Sequence, residues 1–114
     1  MTIKAEDFPV YQLLLQLNHP GVELAKKDFA AAQNGGDEAA YTFALGIQTI
    51  AAIPGIETKI PGLTAGMVGK TLESCLAIFE DVASRGHTNA NFMVGDFKAR
   101  GLGRKRPPGA PGPS

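Results

Sequence analysis

The sequence predicts an all-α fold: a small bundle of four antiparallel helices, a short and weaker fifth, and an extended Pro/Gly-rich basic arm at the C-terminus. Three observations carry that expectation. Apolar residues recur at three- and four-residue spacings through four stretches, the period of a helix with one buried face. Each stretch is closed by Asn, Gly or Pro, and the short connections favour antiparallel neighbours. Four of the eight Pro residues crowd into positions 107–114, where neither a helix nor a sheet interior can form. The chain of 114 residues therefore divides into a helical body, 1–100, and a tail, 101–114.

The first helix is expected over residues 8–17. Asp7 stands where an N-cap belongs, and Pro9 falls in the first turn, where a missing N–H does no harm. Val10, Leu14 and Leu17 form a stripe with Leu13 beside it, and Tyr11 and Leu15 widen the apolar face beyond the needs of a surface helix. A turn at 18–21 leads to a second helix, 21–33, with Val22, Ala25, Phe29 and Ala32 inward and Glu23 placed to pair with Lys27. Asn34, Gly35 and Gly36 end it.

Asp37 is expected to cap a third helix, 38–52. Tyr41, Phe43, Ala44, Leu45, Ile47, Ile50 and Ala51 cover nearly its whole circumference, so it is central in the fold or lies in an interface. Two Ile-Pro-Gly triplets follow, at 53–55 and 60–62, and read as a compact apolar loop whose Ile residues plug into the body. The fourth helix, 65–85, has the clearest pattern. Thr64 caps it, and Val68, Leu72, Cys75, Phe79 and Val82 repeat at four, three, four and three. Gly66 and Gly69 weaken its first turns and suggest a close approach to another helix; Arg85 and Gly86 mark its end. Thr88 can cap a short fifth helix, 89–100, carrying Phe92, Met93 and Phe97; Gly95 and two early Asn residues count against it, and the alternative is an extended arm with aromatic anchors.

Charge divides unevenly along a chain whose formal total is zero. Residues 1–97 hold six basic and all eleven acidic side chains, a net of −5; residues 98–114 hold Lys98, Arg100, Arg104, Lys105 and Arg106 and no acid, a net of +5. A basic arm of this kind suits an anionic target: nucleic acid, a partner's acidic patch, or the body itself. Single-strand binding is disfavoured, since no aromatic residue follows Phe97.

Gly69-Lys70-Thr71 resembles the end of a phosphate-binding loop, but Thr64 stands where that loop needs its first Gly, and the residues fall inside a helix. His19 and His87 are the only histidines, both in turns, without the companions a metal site requires. Cys75, the one cysteine, lies mid-helix on an apolar stripe, the opposite of a nucleophile's surroundings, and rules out an internal disulfide. Glu6-Asp7 and Glu80-Asp81 are adjacent acids that diverge along a helix. No catalytic residue, metal or cofactor is therefore assigned.

The opening residues lack a basic stretch followed by an apolar run, and the most apolar segment, 39–56, is cut short by Pro54, so neither a secretory leader nor a membrane span is expected and the expected location is the cytoplasm. The expected function is that of a non-enzymatic structural or adaptor subunit. It would bind protein partners or its own copies through Tyr11, Leu15, Tyr41, Phe43, Ile47 and Ile50 and through the arm, because these helices carry more apolar surface than a body of this size readily hides. The alternative is a small nucleic-acid-binding accessory protein using 98–106.

Overall fold

α4, Ala65–Ser84, is the spine of the molecule. Thr64 caps it as expected, its hydroxyl accepting the Met67 N–H at 3.2 Å. Leu72, Cys75, Leu76, Ile78, Phe79 and Val82 are buried along it. The computed structural model describes residues 3–102, and these are all-helical, with five α-helices and no strand. α1 spans Pro9–Gln16, α2 Val22–Gln33, α3 Asp37–Ala51 and α5 Thr88–Arg100; single 3₁₀ turns stand at Ala5–Asp7 and Ile56–Thr58.

The packing order follows the chain. α3 lies between α2 and α4, α5 rests on α4, and α1 lies against α4 while touching α2 and α3. The result is flat: the extents are 39 × 37 × 18 Å, the shortest about two helix diameters. Two aromatic clusters fill it. Phe8, Tyr11, Phe29 and Phe43 interlock where α1, α2 and α3 meet, with ring centroids 5.1–5.3 Å apart. Tyr41, Phe79, Phe97 and the imidazole of His87 form the second where α3, α4 and α5 meet. Edge-on and offset ring pairs of this kind add about 0.5–1.5 kcal/mol each beyond the area they bury.

Several local expectations are corrected. Asp7 does not cap α1; it lies in the 3₁₀ turn, Phe8 holds the cap position, and the Val10 N–H is met instead by the Thr71 hydroxyl of α4 at 3.1 Å. That hydroxyl also donates to the Met67 carbonyl at 2.9 Å, so Thr71 is a buried clamp between α1 and α4. Asp37 is the first residue of α3, behind a Gly36 cap at φ 104°, and its carboxylate turns to Arg85. Gly66 and Gly69 do not mediate a close helix contact: both are exposed, and a methyl group at Gly69 would meet nothing within 4 Å. Glu23 pairs with Lys26 at 3.6 Å rather than with Lys27. His87, not Thr88, caps α5, and Leu17 is 43% exposed, outside the α1 stripe. In the Ile-Pro-Gly loop Ile56 and Leu63 are buried while Ile53 faces solvent; Gly55 and Gly62 take the positive φ that each Pro-Gly turn needs.

Candidate interaction surface

The surface expected from the sequence is largely the core. Tyr11, Tyr41, Phe43 and Ile47 are buried by this chain alone, Ile50 is half-buried, and Leu15 is exposed. The expectation that the first and third helices lack cover is thereby corrected. α3 is flanked on both sides, by α2 and α4, and α1 lies across the same layer, so apolar residues around the whole helix find neighbours within the chain. Burial pushes the Tyr11 phenol above its usual range.

What remains open is a cleft between α2 and α3. Gly21, Leu24, Ala25 and Asp28 line it from the α2 side, and Phe43, Gly46, Ile47 and Ile50 from α3. Its volume is about 120 Å³. The cause is local. Small residues at Gly21, Ala25 and Gly46 leave the space unfilled, and a methyl group built on Gly46 would touch nothing within 4 Å. Leu24 stands on the rim, 68% exposed. Leu17 and Ile53, also exposed, flank in sequence the start of α2 and the end of α3. Phe43 and Ile47 are thus brought together as the buried floor beneath the cleft, with the half-buried Ile50 beside them. Leu24 was not singled out from sequence. Its signal was legible: a leucine off the Val22–Ala25–Phe29–Ala32 stripe, set among Glu23, Lys26 and Lys27.

The far corner of the molecule is closed by charge. The Arg85 guanidinium bonds both carboxylate oxygens of Asp37, at 2.7–3.0 Å, and reaches Asp81 at 2.6 Å. Hydrogen bonding to Arg85 holds the Asp37 and Asp81 carboxyls below the usual carboxylate range, and the guanidinium is raised in turn. Beside it the His87 imidazole lies over the Tyr41 ring, with centroids 4.5 Å apart, and meets Glu38 at 2.8 Å. These pairs join residues 48 and 49 positions apart, tying the start of α3 to the end of α4.

The basic residues divide. Lys98 and Arg100 are exposed in the last turn of α5, where Arg100 pairs with Asp96 at 3.1 Å. Arg104, Lys105 and Arg106 lie outside the described residues. Cys75 is fully buried and desolvation pushes its thiol far above the usual range, so it stays protonated. The Gly69-Lys70-Thr71 triplet lies inside α4 with Thr71 committed to the α1 clamp. No helix among the described residues is long and apolar enough to cross a membrane. Compared with known protein families, curated proteins and solved structures, the chain shows no match.

Proposed function

We propose that the chain is a non-enzymatic structural or adaptor subunit of a protein assembly inside the cell, and that the neighbour it meets is a second copy of itself. The observation that carries this reading is the α2–α3 cleft with Leu24 exposed at its rim. A solvent-facing leucine beside an unfilled apolar cleft gains most when another apolar side chain covers both.

Two features support a copy of the same chain as the neighbour. At the other end of the packing order α5 presents Phe92, 73% exposed and outside both aromatic clusters. Phe92 precedes Lys98 and Arg100, so an apolar knob is followed by the basic end of the chain. The acidic body and basic end, −5 and +5, are complementary between neighbours. A contact joining the cleft of one copy to α5 of the next is heterologous, and builds rings or chains rather than a closed pair. In this reading the helices are an antiparallel bundle and the arm extends from it along the neighbour.

Light scattering on the size-exclusion peak tests the proposal. The wild-type chain is expected to exceed the 11.9 kDa monomer, while Leu24→Asp and Phe92→Asp each return it to monomer with helical circular dichroism unchanged. An equimolar mixture of the two variants is expected to form a dimer, because each retains one competent face. A wild-type chain that is monomeric at every concentration, or variants that associate as wild type does, would overturn it. The exposed Lys98 and Arg100 favour the second reading, nucleic-acid binding. It requires salt-sensitive binding of a DNA or RNA oligonucleotide that is lost on deleting 98–114, and it fails if no binding occurs at low salt.

A further inference from the structure

His87 stands where α4 ends and α5 begins, and both of its ring nitrogens are engaged. Nδ1 accepts the Ala90 backbone N–H at 3.1 Å, the N-cap bond of α5. An accepting nitrogen carries a lone pair and no proton. The ring proton therefore sits on Nε2 and is donated to Glu38, 2.8 Å away. The charged groups that face the ring come from α3 and from the end of α4. Glu38 is bonded to it; Asp37 is beside it in sequence with its carboxylate committed to Arg85; and Arg85 is held between Asp37 and Asp81. Tyr41 covers one face of the ring, and from α5 the Asn91 amide donates to the His87 carbonyl at 3.3 Å.

α5 has few fully buried anchors besides this cap. Only Ala90 and Phe97 are buried along its 13 residues, and Phe97 anchors the far half against Phe79. Its first turn is held by the Ala90 side chain, the His87 ring bond and the bonds from Asn91 to the His87 carbonyl. His19 makes the same kind of bond, Nδ1 to the Gly21 N–H at 3.1 Å, but the ring of His19 is exposed and bonds no carboxylate among the described residues.

We propose that His87 is an acid-operated latch on the first turn of α5. A proton taken from solvent onto Nδ1 converts the acceptor into a second donor, which faces the Ala90 N–H. The cap bond breaks and the N–H passes to water. The ring, now cationic, keeps its Nε2 proton and holds Glu38 through a charge-assisted bond. Protonation thus releases the ring's bond to α5 and strengthens its bond to α3. The latch sits on the element that carries Lys98 and Arg100, so acid loosens the helix that presents the basic end of the chain.

Amide hydrogen exchange read residue by residue by NMR, together with the His87 ring nitrogen shifts, tests this between pH 7.5 and 5. As the ring shifts report protonation, Ala90 is expected to lose roughly five- to ten-fold of its protection after correction for the intrinsic rate. His87→Asn supplies a side-chain oxygen cap that does not titrate in this range, and its Ala90 protection is expected to stay level. Unchanged Ala90 protection with a protonated ring, a ring still neutral at pH 5, or the same acid loss in His87→Asn would overturn the latch. Should His87→Asn fail to fold, the wild type alone decides: Ala90 protection that does not fall in step with the ring shifts refutes the latch.

Discussion

The two aromatic clusters on either side of α3 are built from similar parts and finished differently. The Tyr41–Phe79–Phe97 cluster is roofed by the His87 ring, and the ion pairs of Arg85 and His87 tie together the helix ends beside it. The Phe8–Tyr11–Phe29–Phe43 cluster packs as tightly ring to ring, yet Phe43 also lines an open cleft whose walls are Gly and Ala. The difference teaches where the fold is complete. At the α4–α5 corner the His87 ring and the ion pairs cover the cluster, and Phe92 of α5 stands outside it. At the α2–α3 edge small side chains withhold it, and a leucine is left in water.

Three substitutions sharpen that comparison, in falling order of effect. Phe79 is fully buried and touches rings on both sides, so Phe79→Ala removes the centre of the closed cluster. A loss of about 3–5 kcal/mol is expected, read as a fall of about 15–30 °C in Tm by circular dichroism. Gly46→Ala acts on the open side with the opposite sign. The added methyl group meets no atom within 4 Å, and Gly weakens a helix interior relative to Ala. A gain of about 0.5–1 kcal/mol is expected in urea denaturation. A destabilised Gly46→Ala would show that the cleft wall is already closed.

Arg85→Ala opens the charged corner, and the effect is smaller because the groups are exposed. A Tm loss of no more than a few degrees at pH 7 is expected. Its pH dependence has a definite sign. Asp37 and Asp81 have folded values below their ordinary 3.8. Their pairing with Arg85 thus stabilises the fold fully above that value, and the contribution is lost as pH falls through the lower folded ones. The Tm gap between wild type and variant therefore closes in strong acid. A gap that widens there would contradict the assignment.

Much of the fold was legible because α4 obeys local rules. Its stripe, its Thr64 cap and its stop all depend on residues a few positions apart. α3 was legible as apolar all round, central or in an interface, and packing between α2 and α4 decides for the centre. What failed was decided at long range. Asp37 suited a cap by local rules, but Arg85, 48 residues away, offers a bidentate partner. Asp7 suited the α1 cap, but a hydroxyl 61 residues from Val10 took that role. His87 looked like a turn histidine until the fold set Glu38 and Tyr41 around it. Tyr11, Tyr41, Phe43 and Ile47 are covered by their own chain for a geometric reason: periodicity shows that a helix face is apolar, and only packing shows what covers it. Leu24 is the converse, visible as the residue off the stripe.

The account rests on the α2–α3 edge being the place where another copy docks. Light scattering of an equimolar mixture of Leu24→Asp and Phe92→Asp tests it most directly. Two monomeric variants that combine into a dimer are the predicted result; two variants that stay monomeric together while the wild type assembles would contradict it.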